Sequence, residues 1–254
     1  MKIVLFGATG MVGQGVLREC LLDRDVEGVL AIGRSSSGQR HEKVREIVRA
    51  DPVDLSGLER ELAACDACFF CLGVSSAGMA EKDYRRVTHD LTVAVARKLV
   101  AWNPGMTFVY VSGAGTDRTE RGRSMWARVK GETENVLLKL PFARAYMFRP
   151  GFIQPLHGVT SRTRLYRAIY AVLSPLFPVL NAVAPDHVTT TERVGRAMLE
   201  VAKRGAPGPV LRTRDINALA RRPAASIARP TRSVVVTWSG RSAFQTGKSG
   251  ERTA

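Results

Sequence analysis

The chain has 254 residues, of which 45% are hydrophobic and 24% charged, with four cysteines and a formal charge of +15. Those values fit one large α/β-sized core and exclude a low-complexity chain or a small disulfide-framed one. The charge is uneven: from Arg221 onward there are seven basic residues and one acid, so that stretch holds +6 and the rest +9. Basicity of this kind attracts nucleic acid or anionic lipid. No nucleic-acid motif accompanies it, and the aromatics do not interleave with the basic residues, so a solvated basic surface is expected and nucleic acid is not an expected partner. Met1 leads straight into an apolar run without a charged leader or a small-residue cleavage site. With four cysteines and no secretory context, this predicts a reduced, cytoplasmic protein.

Lys2–Phe6 is a short apolar run ending at Gly7, the pattern of a buried parallel strand. A helix is predicted over Met11–Leu22, then strands at Gly28–Ile32, Val44–Val48 and Asp66–Leu72. Tyr84, Val87, Leu91, Val95, Leu99 and Trp102 share one helical face. Met106–Val111 is a fifth strand, set between the turn Asn103-Pro104-Gly105 and Gly113. A helix carrying Trp126, Val129, Thr133 and Leu137 follows, then a sixth strand at Ala143–Phe148. Strands alternating with helices imply right-handed crossovers, hence a single doubly wound parallel α/β sheet over residues 1–220.

The later part differs. A small helical lid is expected over about residues 152–205. Leu165–Ala184 is apolar but interrupted by Pro175 and Pro178. Within it Ala168–Ala184 carries no charge and reads as a substrate lid or a homodimer face in preference to an interfacial membrane contact, because the prolines would break backbone bonds there. Thr189 as N-cap and Glu192 have capping-box spacing for a helix to about Lys203. A strand near Pro209–Arg212 and a turn at Asp215–Leu219 close the domain. Beyond Arg221 the hydrophobic periodicity ends, so 221–254 is expected to be a basic, disordered tail with Val234–Trp238 its strand-like run.

The most informative motif is Gly7-Ala8-Thr9-Gly10-Met11-Val12-Gly13. It follows a predicted strand and opens a predicted helix, the context of a Rossmann dinucleotide turn. Gly7 makes the tight turn, Gly10 lets backbone approach a pyrophosphate, and Gly13 lets the helix pack on the sheet. The helix N-terminus offers unpaired N–H groups to the phosphates. At the end of the second strand stand Arg34, Ser35 and Ser36 with no acid. An arginine forks onto the 2′-phosphate of NADP, whereas an acid would bind the 2′-hydroxyl of NAD, so NADP is the expected cofactor in preference to NAD.

With these residues the chain resembles an atypical, extended-type short-chain dehydrogenase/reductase, in the TIP30-like and NAD-dependent epimerase/dehydratase-like branch. The likeness runs over roughly Met1 to Leu219. It rests on the Gly7-x-x-Gly10-x-x-Gly13 turn, Asp54-Leu55, Cys71-Leu72-Gly73, Tyr110-Val111-Ser112, Lys130 and Arg149-Pro150-Gly151. The resemblance implies an NAD(P)-dependent oxidoreductase or epimerase-like enzyme acting on a small carbonyl or hydroxyl substrate. It implies that Asp54 meets the adenine amino group, that Leu55 supplies backbone, and that Leu72 and Gly73 pass beneath the ribose. It further implies that Ser112 polarises a substrate carbonyl, that Lys130 binds the nicotinamide ribose, and that Pro150 to Ile153 hold the carboxamide.

One departure matters. The family pairs a tyrosine with a lysine four residues on, and here Trp126 holds the tyrosine position in Met125-Trp126-Ala127-Arg128-Val129-Lys130. An indole N–H donates a hydrogen bond but does not exchange a proton near neutral pH. Three readings stay open: Lys130 acts as the base itself; a hydroxyl of Ser112, Ser124 or Tyr84 relays the proton; or the protein is a cofactor-sensing binding protein without turnover. Helical spacing places Trp126 and Lys130 on one face, toward the nicotinamide side. Gln154 and His157 are secondary candidates for substrate contact. Cys65-x-x-Cys68-x-x-Cys71 reads as small buried hydrophobes, because a strand cannot aim residues three apart onto one face, and no metal is expected.

Overall fold

Apolar runs bounded by glycine and proline become strands, and the segments of period 3.6 become helices, in the computed structural model, which describes residues 1–159 and 183–222. In chain order they are β1 (Lys2–Phe6), α1 (Met11–Leu22), β2 (Gly28–Gly33), β3 (Val44–Val48), α2 (Glu59–Ala63), β4 (Ala67–Phe70) and α3 (Glu81–Arg85). A π-helical turn (Arg86–Asp90) leads into α4 (Leu91–Trp102), β5 (Thr107–Val111), α5 (Met125–Leu137), β6 (Arg144–Arg149) and β7 (Phe152–Gln154). Then come β8 (Val188–Thr190), α6 (Thr191–Arg204), β9 (Val210–Arg212) and α7 (Thr213–Ala220).

Seven strands form one sheet in the order β3-β2-β1-β4-β5-β6-β9, every pairing parallel. This is the expected doubly wound Rossmann sheet. The chain moves outward from β1 to β3, then returns to lay β4 on the other side of β1. The order reverses there, and the crevice at the carboxyl ends of β1 and β4 is where open α/β sheets bind ligands.

Alternation along the strands feeds two core layers. Ile3, Leu5, Phe69, Val109 and Phe148 pack with Val16 and Leu17 of α1 and Val194 and Met198 of α6. Val4, Phe6, Phe70, Phe108 and Tyr110 face the other side, with Leu62 of α2 and Val95 and Leu99 of α4. Phe6, Phe70 and Phe108 stack in turn across neighbouring strands, and Phe142 continues the row.

Several expectations need correction. The helix through Tyr84 and Trp102 runs unbroken but contains a π-helical turn. The wide turn Arg86–Asp90 adds a residue and shifts the helical phase, so Thr88 and His89 are buried while Val87 is half-buried. Thr189 is not a cap, because β8 pairs with β7 and draws it into a strand. Thr190 caps α6 instead, accepting from the Arg193 amide at 3.0 Å. Glu192 is spent on His157 and Arg196, at 2.9 and 2.8 Å. The region 152–205 is not wholly helical, since β7 and β8 form a parallel two-stranded sheet within it. The terminal turn is a full helix, α7.

Ala168 to Ala182, the body of the uncharged run, lies outside the described residues, as does everything from Pro223 onward, including Val234–Trp238. Among the described residues no helix is long and apolar enough to cross a membrane.

α1 and α6 meet at two glycines that the sequence reading passed over. A Cβ on Gly15 would lie 2.5 Å from Thr191 Cβ and 2.9 Å from its carbonyl oxygen. One on Gly195 would lie 2.8 Å from Glu19 Cγ. The contact also covers the Glu19 carboxylate, which Arg18 and Arg196 neutralise. Forcing a methyl into such a contact costs about 1–3 kcal/mol. Gly15→Ala is therefore expected to lower the melting temperature by several degrees, whereas Gly28→Ala, whose nearest neighbour would be at 3.8 Å, leaves it unchanged. Thermal unfolding followed by circular dichroism checks both.

Candidate functional site

The turn after β1 is built from backbone. Gly7 adopts φ +86°, and a Cβ there would sit 2.8 Å from the Cys71 carbonyl and the Leu72 amide, where the chain leaves β4. A Cβ on Gly13 would sit 1.9 Å from the Gly7 carbonyl oxygen. Both residues are glycine for reasons internal to the fold. Gly10 differs: a Cβ there would find only the Gly7 carbonyl oxygen, at 3.4 Å. Its missing side chain therefore leaves space open in front of α1, whose N-terminus no side chain caps. Ala8 is buried, and Thr9, Met11 and Val12 are half-buried around it. Uncapped amides with a Cβ-free approach fit a pyrophosphate. Leu72 is half-buried beside this turn, and Gly73 is exposed with no neighbour within 4 Å.

On the β2 side, Arg34 and Ser35 are exposed just past the strand. No acid ends β2 itself, but Glu46 reaches the following loop from β3. Its carboxylate accepts from the hydroxyls of Ser36 and Ser37 and, at 2.7 Å, from the Ser37 amide. Desolvation pushes the Glu46 carboxyl up, but those hydrogen bonds outweigh it and leave it below its ordinary value. Ser36 and Ser37 thus hold a carboxylate and shape the loop that presents Arg34. Asp54 is exposed and accepts from the Ser56 hydroxyl and amide, at 2.5 and 3.2 Å, and the hydroxyl bond chiefly holds its carboxyl low. Leu55 is fully buried, so its side chain belongs to the core.

The carboxyl ends of β5 and β6 carry the ionisable groups. Lys130 is 9% exposed on α5. Its Nζ donates to the Val111 carbonyl at 3.1 Å and lies 5.3 Å from the centre of the Tyr110 ring. Burial pushes the amine down to about 8, with Glu134 opposing that shift. Ser112 Oγ is 2.6 Å from Glu134 Oε1 and 3.1 Å from the Phe148 carbonyl. Glu134 also takes Nε of Arg149 at 2.9 Å, and the second guanidinium nitrogen bonds its other oxygen. Nothing in the linear pattern singled out Glu134; the available signal was its place one helical turn beyond Lys130.

Trp126 does not stand free in the crevice. Its six-membered ring lies 3.4 Å from where a Cβ on Gly115 would be and 4.0 Å from one on Gly113. It thus covers the loop after β5, which Gly131 brings against α5, since a Cβ there would meet the Asp117 carbonyl at 1.8 Å. Of the proposed relay hydroxyls, Tyr84 is buried and Ser124 exposed at the foot of α5. Pro150 is buried and its carbonyl accepts from the Ala114 amide at 2.8 Å, joining the loops after β5 and β6. Ile153 is buried in β7 and Gln154 half-buried beside it, while His157, at φ +57°, pairs with Glu192. Cys20, Cys65 and Cys68 are buried, which pushes their thiols up, Cys65 to about 12.

Residues 3–117 match the NAD dependent epimerase/dehydratase family. The match covers a little under half of the chain. A mitochondrial FMP52 protein of Eremothecium gossypii is 31% identical over 155 residues, 60% of this chain and 66% of that protein. Its FMP52-2 counterpart in Scheffersomyces stipitis is 29% identical over 59% of this chain and 65% of its own length. HTATIP2 of Rattus norvegicus is 28% identical over 60% of this chain and 62% of its own. The chain thus spans just under two thirds of these relatives. Among solved structures, a short-chain dehydrogenase/reductase of Saccharomyces cerevisiae superposes with a TM-score of 0.60 at 16% identity, covering 86% of this chain and 98% of that one. MoeE5, solved with UDP-glucuronic acid and NAD, gives 0.61 at 19%, covering 83% and 75%. The likeness to short-chain dehydrogenases/reductases is one of fold, which this chain shares with a protein solved with NAD.

The expectation of a cytoplasmic protein is overturned, because these FMP52 relatives are named as mitochondrial. Free cysteines do not distinguish the cytosol from the mitochondrion.

The glycines separate folding from binding. Gly10→Val is expected to keep the parent melting temperature and lose most affinity for NAD(P)H. Gly13→Ala is expected to destabilise the fold outright. Thermal unfolding and fluorescence titration with NADPH and NADH distinguish the two, and a Gly10→Val protein with parent affinity would sink this account of the turn.

Proposed function

We propose that the protein binds NADP(H) and is an oxidoreductase or epimerase-like enzyme acting on a small carbonyl or hydroxyl substrate. The observation that carries this reading is the joint placement of the open turn at Gly10 and the buried amine of Lys130 on one edge of the sheet. Only β4 separates β1, which leads into the turn, from β5, whose end Lys130 touches. Two strand spacings make about 10 Å, within the reach of one dinucleotide. The turn and the α1 amides would hold the pyrophosphate, and Leu72 and Gly73 the backbone beneath the ribose. Asp54 and Leu55 would take the adenine end, and Pro150 to Ile153 the carboxamide.

When bound, the nicotinamide supplies or accepts a hydride. The chain's own residues must orient the substrate and move a proton. Lys130, with an amine near 8, is mostly an ammonium at neutral pH and gives its proton to a substrate oxygen. Ser112 has one hydroxyl hydrogen, and the short contact to Glu134 takes it. Toward a substrate it then offers lone pairs, so it receives a hydrogen bond from a substrate hydroxyl rather than polarising a carbonyl by donating one. Trp126 forms a wall of the crevice and moves no proton.

Arg34 supports NADP over NAD, since a guanidinium forks onto the 2′-phosphate. A second reading, a cofactor-sensing binding protein without turnover, is favoured by the indole packed over Gly115 where the family's phenol would stand.

NADPH is expected to bind more tightly than NADH, and Arg34→Ala to erase most of the difference. Equal affinities in the parent, by calorimetry, would remove the NADP assignment. With a panel of aldehydes, ketones and quinones, Lys130→Met is expected to abolish NADPH oxidation, while Trp126→Phe keeps a measurable part of it. The ammonium is present below about 8 and lost above it, so the reduction rate should fall as pH rises through that value. A parent that binds NADPH and oxidises it with no substrate would favour the sensing reading.

A further inference from the structure

We propose that Glu134 is a positioning residue for this site, taking the hydroxyl hydrogen of Ser112 and supplying the counter-charge for Lys130. The inference rests on reading Lys130 and Ser112 as the reactive pair. Three observations carry it. First, the Glu134 side chain has no exposure at all, although a carboxylate is among the costliest groups to bury. Second, its contacts come from two other elements, Ser112 at the end of β5 and Arg149 at the end of β6, and it stands one helical turn beyond Lys130 on α5. Third, Arg149 alone does not account for that arrangement, because a purely structural ion pair does not need the Ser112 hydroxyl on the oxygen that Arg149 Nε already bonds.

The surroundings limit what else sets the charge of Lys130. Tyr110 lies beneath its ammonium, and burial holds that phenol neutral by pushing it up. Across the π-helical turn, Arg85 is paired with Glu132, and His89 contacts Asp90 and Glu132. Arg149 bonds both oxygens of Glu134, sharing Oε1 with the Ser112 hydroxyl. Glu134 is thus the carboxylate that opposes loss of the lysine proton, and it also fixes which way the Ser112 hydroxyl points. Ser112 presents lone pairs and Lys130 presents protons, an arrangement set before any substrate arrives.

The test reads Lys130 directly and without cofactor. In protein labelled with ¹³C and ¹⁵N lysine, the Lys130 signal is assigned by its loss in Lys130→Met and followed by NMR as pH is raised. The parent amine is expected to titrate near 8. Glu134→Gln should move the midpoint down by about one unit or more, a roughly tenfold smaller charged fraction at fixed alkaline pH. Glu134→Asp should restore most of it. Glu134→Gln strands the Arg149 guanidinium, so the same titration is run on Glu134→Gln combined with Arg149→Gln, which restores the charge balance. If Lys130 keeps its parent midpoint in either folded variant, or if neither variant folds, Glu134 is structural and the proposal is overturned. A parent that binds neither NADPH nor NADH would overturn the cofactor reading and leave this outcome separately legible.

Discussion

Gly7 and Gly13 touch backbone to backbone, and the position of everything at the site follows from that contact. A Cβ on Gly13 would lie 1.9 Å from the Gly7 carbonyl oxygen, and one on Gly7 would lie 2.8 Å from the chain leaving β4. α1 can therefore begin directly over the end of β1, with its uncapped amides facing the crevice where the strand order reverses. The second glycine pair, Gly15 and Gly195, carries the same logic further along the helix, holding α1 against α6. The helix whose N-terminus faces the crevice is thus fixed on both sides by the absence of side chains.

Beyond this hub the site divides by electrostatics. The β2–β3 end is solvent-facing, and its polar groups satisfy one another through Glu46 and Asp54. The β5–β6 end is dry. There a carboxylate, a guanidinium and a hydroxyl form one buried network, and a buried amine bonds the neighbouring Val111 carbonyl. In such surroundings charge is stronger and less screened than in water, so a group's state depends on its few neighbours rather than on solvent. That is why the amine of Lys130 is pushed down.

Trp126 changes the shape of this end as well as its chemistry. Its ring closes over the glycine-containing loop after β5 instead of projecting a proton-bearing group into the crevice. Among the described residues, the groups at the end of β5 are the amine of Lys130 and a serine whose hydroxyl lies against Glu134.

Much of the fold was legible in the amino-acid order because its determinants are local. The apolar runs, the breaker residues and the glycine spacing marked β1, α1 and the parallel sheet, since strand and helix periods follow from backbone geometry alone. Gly7, Gly10 and Gly13 were recognisable for the same reason, whereas Lys130 was singled out by the resemblance to a known family. What the linear order did not carry was every contact between elements distant along the chain. Glu46 reaches the β2 loop from β3, Glu134 joins the ends of β5 and β6, Thr189 pairs into a strand with β7, and the π-helical turn rotates Thr88 and His89 inward. Each depends on which side chain faces which neighbour once the sheet is assembled. Burial, which sets the cost of an unpaired charge and hence the state of Lys130, exists only in the packed molecule.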